Sequence, residues 1–252
     1  MTEQQTISQQ LWLDFIHQHP EIGALRLWPV DTPLEYLVLA TISQSPWSMA
    51  ATLSRLAERG YRPTRHYALA DRGLLVTLLA GDIHSPRLIV IELQTTRLSS
   101  PARAALQQLT SGESSDSRTE LGACRPWPMP DWATYQLLRN EHPLAGWLAA
   151  MGPRVHHVGY DCTQIGKSLA QLDSEMQEHG FMPASEVDEM LPVSPLIEHR
   201  YYPNCSRRLA FADGDEHRIT AGAIQLVRQA PGAGRERTAD VLLPPYAWCE
   251  MS

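Results

Sequence analysis

Adjacent histidines mark the place where this sequence is best equipped for chemistry. His156 and His157 lie in Val155–Cys162 (VHHVGYDC), a run of strand length. Successive strand residues point to opposite faces, so one ring turns inward and the other does not. His157 would share a face with Gly159 and Asp161, and His156 with Val158 and Tyr160. An inward imidazole serves either as a metal ligand or as a hydrogen-bonded core group, and both readings stand. His17 and His19, which bracket Gln18 ahead of Pro20, read as exposed residues at a helix end. His66, His84, His199 and His217 are isolated and read as structural. Gly166-Lys167-Ser168 sits where a phosphate-binding loop belongs, but the glycine that motif needs five positions earlier is Asp161. The backbone there cannot wrap phosphates, and Lys167 reads as a solvated residue of a first helical turn. There is no Gly-x-Ser-x-Gly elbow and no His-Glu-x-x-His helix. Cys124, Cys162, Cys205 and Cys249 are too widely spaced for a zinc ribbon or a disulfide framework, and read as reduced, mostly buried thiols.

The elements that must position these groups repeat. Leu34–Ser43 is a dense apolar, β-branched strand, followed by a helix over Met49–Arg59 with Met49, Leu53 and Leu56 at helical spacing. Strands follow at Thr64–Leu69, Leu74–Leu79 and Arg87–Gln94. After a helix at Ser100–Leu109, a Ser/Gly/Pro-rich connection over Ser111–Asp131 and a helical stretch over Trp132–Leu148 broken near Pro143, the pattern returns. Val155–Cys162 is a strand, Ile165–Glu178 a helix, and strands are expected near Glu186–Met190, Leu196–Tyr202, Arg207–Phe211 and Ala223–Arg228. The two helix exits read alike, Gly60-Tyr61-Arg62-Pro63 beside Gly180-Phe181-Met182-Pro183. Such self-similarity indicates an internal duplication. The expected fold is therefore α+β, with two paired β-α-β-β-β modules enclosing a central cavity and added helices. A single domain is expected over 1–252: a first module at 21–110, a connection and helix at 111–153, and a second module at 154–230.

Composition excludes several function classes. The 252 residues are 43% hydrophobic and 19% charged, enough to bury a substantial core, with a formal charge of −7. That acidic balance argues against a nucleic-acid partner. Leu74–Ala80 and Leu88–Leu93 are far too short to cross a bilayer, and the N-terminus lacks the basic start and apolar run of a signal peptide. No membrane partner is expected, and the chain reads as a soluble cytoplasmic protein that takes a small-molecule ligand.

Over nearly its whole length the chain resembles short members of the 2-oxoadipate dioxygenase/decarboxylase (hydroxyglutarate synthase) family, whose fold is vicinal-oxygen-chelate-like. The resemblance rests on Leu11-Trp12, Gly60-Tyr61 with Tyr67 downstream, Pro86–Leu93 (PRLIVIEL), His142-Pro143 leading to Arg154–Val158, and Phe211-Ala-Asp-Gly214. It implies an Fe(II) oxygenase that decarboxylates and hydroxylates a 2-oxo acid, its metal held by two histidines and a glutamate. His157 matches the second histidine. The first falls on Leu37, the substrate-binding arginine on Thr41, and the glutamate on Gln225; a Gln-Ser-Ser-Thr-like segment falls near Tyr201–Cys205. Leucine cannot ligate a cation and a neutral amide is a weak ligand, so Fe(II) affinity should drop sharply. Losing the arginine also removes bidentate carboxylate recognition.

One rescue is open: Glu92 occupies in the first module the strand that Gln225 occupies in the second, so Glu92, His157 and Gln225 are expected as a rearranged ligand set. The bland alternative is a Glu92 carboxylate satisfied by a neighbour. Fe(II), another divalent metal, or no metal are all consistent with these residues. The leading expectation is a divergent relative of the Fe(II)-dependent 2-oxo acid dioxygenase/decarboxylases with a degraded or rearranged metal site. The alternative is a metal-free, non-catalytic protein of the same fold that binds a small molecule or a partner.

Overall fold

A computed structural model describes residues 3–44, 46–111, 121–122, 125–184 and 197–229. Two amino-terminal helices, α1 (Glu3–Gln18) and α2 (Pro20–Ala24), precede β1 (Tyr36–Ile42), α3 (Met49–Glu58), β2 (Arg62–Leu69), β3 (Leu74–Ala80) and β4 (Arg87–Leu93). Helices α4 (Ser100–Thr110), α5 (Trp132–Glu141) and α6 (Pro143–Met151) lead to β5 (Val155–Asp161), the short α7 (Cys162–Ile165), α8 (Leu169–Glu178), β6 (Ile197–Ala210) and β7 (Glu216–Gln229).

The strands form one mixed sheet in the order β2-β3-β4-β1-β5-β7-β6 among the described residues. In the first half β1 runs parallel to β4, and β3 and β2 follow antiparallel. In the second half β5 runs parallel to β7 and β6 follows antiparallel. The duplication read from the sequence is thus repeated in strand order, and the halves join through the antiparallel β1–β5 pair. The expected strand at Glu186–Met190 lies outside the described residues. Those expected at Leu196–Tyr202 and Arg207–Phe211 are one strand, β6, whose register against β7 shifts between Tyr202 and Ser206. The intervening Pro203 lacks an N–H and can be carried where the ladder is irregular.

The matched helix exits have a common cause. Ser48 caps α3 by accepting from the Ala51 N–H, and Ser168 with Gln171 makes a reciprocal capping box on α8. Each helix then stops at a left-handed glycine, Gly60 at φ 85° and Gly180 at φ 82°, followed by a buried aromatic, Tyr61 or Phe181. Lys167 donates to the Leu27 carbonyl and pairs with Glu175 at 2.6 Å, so its role at the head of α8 is structural.

Strand alternation sorts the core into two layers. Leu37, Leu39, Leu88 and Val90 pack on α1, α3 and α8. Tyr36, Val38, Ala40, Ile89 and Ile91 face the opposite way, toward α4, α5 and α6. Every residue of α6 from Leu144 to Met151 is buried, as a helix apolar on all sides requires. Trp127, in the connection before α5, belongs to this second layer and donates from Nε1 to the Ala149 carbonyl at 2.9 Å. It packs on α6. No described helix is long and apolar enough to cross a membrane.

Candidate functional site

The centre of the sheet carries polar side chains on the α6 face. Tyr36 on β1 stands opposite Gly159 on β5, and a Cβ at Gly159 would lie 2.0 Å from Tyr36 Cε1. The phenol ring therefore rests on the glycine, which is why a strand interior tolerates glycine there. From that position Tyr36 donates its hydroxyl to Gln225 Oε1 at 2.6 Å. The Gln225 amide lies 3.2 Å from His199 Nδ1. With the amide nitrogen as donor, His199 Nδ1 accepts and carries its own proton on Nε2. Burial pushes the Tyr36 phenol well above its ordinary pKa, reinforced by Tyr201 and Glu35, so it remains a donor.

His157 is fully buried on the same face, its ring edge-on to Tyr36 and to Tyr201 at centroid distances of 6.1 and 5.5 Å. His156 departs from the alternation expected of it. The β1–β5 register shifts between Val38 and Leu39, skipping His156, and this bulge turns both rings to one side. Their Nδ1 atoms lie 3.0 Å apart, and the His156 ring lies 4.7 Å from Trp147 of α6. Burial, then repulsion from His157 and His19, holds the His156 pKa well below the ordinary value. His156 is therefore held in its neutral form, and one of the two Nδ1 atoms donates to the other.

The rearranged ligand set does not assemble on this face. Glu92 pairs with Thr41 on β1, an odd number of residues from the Val38 that pairs with His157. Its side chain therefore projects to the α3 face. There it accepts from the Met49 N–H at 2.5 Å and from Gln94 Nε2 at 2.6 Å, a carboxylate satisfied at a helix N-terminus. Leu37 and Thr41 lie on the same α3 side, and Thr41 donates to the Ile91 carbonyl at 3.0 Å. The β1 residue facing His157 is Val38. Only His157 and Gln225 share the α6 face. Among the described residues no three His, Cys, Asp or Glu side chains converge to hold a metal ion. A two-histidine, one-carboxylate iron centre requires an anionic ligand that this donor set of imidazoles, a phenol and an amide lacks, so the residues do not fit Fe(II).

One other expectation changes on folding. His19 is buried rather than exposed, packed on Phe15 at the end of α1. Cys162 is a buried free thiol, as expected of it, and is pushed up to about 12 by burial and by Asp161, which makes it unreactive.

Beside the cluster a pocket of about 370 Å³ opens between α5, α6 and the second half of the sheet. Buried Trp147, His156 and Tyr201 line its interior, Trp132 and Tyr135 one side, and exposed Arg139 and Arg218 its polar edge. His156 thus connects the pocket to His157 behind it. A larger hollow of about 570 Å³ lies near β2 and β4, where Arg87 is already paired with Glu35 at 2.8 Å. In the same hollow Asp82 accepts from the His84 N–H and the Ser85 hydroxyl. The 370 Å³ pocket lies against the second half of the sheet, while α4, α5 and α6 pack over the first half.

No protein-family model and no curated protein matches the sequence. Solved structures do match. A protein from Shewanella frigidimarina described as a proposed hydrolase is 20% identical with a TM-score of 0.81, the match covering 92% of this chain and 95% of that one. Hydroxyglutarate synthase from Oryza sativa, solved in complex with 2-oxoadipate, is 16% identical with a TM-score of 0.80, covering 98% and 86%. A proposed glyoxalase-superfamily protein from Ralstonia eutropha is 16% identical with a TM-score of 0.73, covering 92% and 84%. The chain has the vicinal-oxygen-chelate, glyoxalase-like fold shared by these proteins. At such identities the likeness establishes the fold, and the chemistry must come from the side chains.

Proposed function

We propose that this protein is a metal-independent member of the fold that binds a small organic molecule in the pocket beside His156. The observation that carries the reading is the Tyr36–Gln225 hydrogen bond. The position that the family resemblance assigns to an anionic ligand holds a neutral amide, whose oxygen is engaged by a phenol and whose nitrogen is engaged by His199. Such a network is satisfied as it stands, and recruiting Gln225 to a cation would break it. The rice enzyme's complex with 2-oxoadipate supports a small-molecule site in this fold. Here the pocket is lined by aromatic rings and two guanidiniums, and its innermost polar group is His156, hydrogen-bonded to His157 behind it.

Supplied with Fe(II) and 2-oxoadipate in air, the protein is expected to consume no oxygen beyond the protein-free control. Oxygen uptake with turnover of about 1 s⁻¹ or faster would sink the reading.

A further inference from the structure

Building on that reading, we propose that the pocket selects a planar aromatic carboxylate. Its lining contains two arginines and no acidic residue among the described residues, in a chain whose formal charge is −7. Neither Arg139 nor Arg218 is paired with a carboxylate among the described residues; Arg218 donates to the Ser206 hydroxyl at 3.0 Å and keeps the rest of its fork. Two such cations on one pocket favour an anion, and the planar fork matches a carboxylate. A phosphate, which takes more donors, finds fewer here. The first turn of α6, at Pro143, has no N–H at the proline, and the Leu144 N–H is already accepted by His142 Nδ1 at 3.1 Å.

The body of the ligand follows from the walls. Trp147 spends its Nε1 hydrogen on the Ala221 carbonyl at 3.0 Å and can offer a ligand only ring surface. Trp132 is stacked on His217 at 3.7 Å and on Tyr135 at 5.0 Å, so its position is fixed before any ligand arrives. Preset aromatic surfaces favour a flat, rigid partner, because offset and edge-on ring contacts add to simple burial and little ligand freedom is lost. About 370 Å³ lies within the size range of pockets for compact organic ligands.

The test is calorimetric titration of the full chain in the presence of a chelator, with 2-naphthoate, the neutral isostere 2-naphthamide, the aliphatic dicarboxylate adipate and inorganic phosphate as probes. The expected result is one-to-one binding of 2-naphthoate at about 100 μM or tighter, with every other probe at least about tenfold weaker. Arg139→Gln and Arg218→Gln, both at exposed positions that leave the core intact, should each weaken 2-naphthoate about tenfold and leave 2-naphthamide unchanged. Equal binding of the amide and the acid, tighter binding of adipate or phosphate, or indifference to both arginine variants would overturn the ligand class while leaving a metal-independent pocket in place. Binding of any probe that appears only when Fe(II) replaces the chelator would instead overturn the metal-independent reading itself.

Discussion

Gly159→Ala is expected to destabilise the protein by about 4 kcal/mol. The new methyl would sit 2.0 Å from Tyr36 Cε1, well inside contact distance, and the fully buried phenol has no room to yield. Overpacking of this kind costs about 3 kcal/mol, and displacing the ring also breaks its bond to Gln225, worth about 1 kcal/mol. Urea unfolding measures the change. Because the single variant can be too unstable to purify, Gly159→Ala is also placed in a Tyr36→Leu background, where its cost should shrink to about 1 kcal/mol. A full-sized penalty in that background would show that something other than the phenol occupies the space.

Acid should unfold the protein through its buried histidines, and His19 carries a measurable share. Burial, aided by Arg207 and Arg154, lowers its pKa from 6.5 to about 4, and the residue is only 2% exposed. The shift is downward for a base, so the fold prefers the neutral ring. Between these two values the unfolded chain takes up a proton that the folded one refuses. Stability is therefore intact above 6.5, falls with pH, and levels off below about 4, for a total of about 3 kcal/mol. Burial lowers the pKa of His142 and His156 as well, and their losses add. His19→Gln keeps a neutral polar group beside Phe15, so its stability should fall by about 3 kcal/mol less between about pH 7 and about pH 4. Equal acid losses in the two proteins would mean that His19 accepts its proton without strain.

The repeated architecture was legible because each signal is local. A β-branched apolar run makes β1, a serine caps each module helix, and Gly60 and Gly180 take the positive φ that ends it. The candidate site was less legible because it depends on which face a strand residue takes, and one inserted residue reverses that. The bulge at His156 brings both histidines to the α6 face against simple alternation. Glu92 and Gln225 do lie on corresponding strands of the two halves, β4 and β7, but in registers that send them to opposite faces. Tyr36 is inconspicuous among the apolar residues of its strand, and the sequence sign that a ring approaches closely is Gly159 inside β5. A histidine at a helix end before proline is expected to be exposed, yet His19 is buried. Gly222 on β7 lets the α1 terminus close down on the sheet, since a Cβ there would lie 2.6 Å from His19 Nε2.

That the Tyr36–Gln225–His199 network at the centre of this fold stands in place of a metal site is tested most directly by anaerobic calorimetric titration of metal-stripped protein with Fe(II). The expected result is no saturable binding tighter than about 100 μM. Stoichiometric binding at about 1 μM or tighter, abolished by His157→Ala, would contradict it.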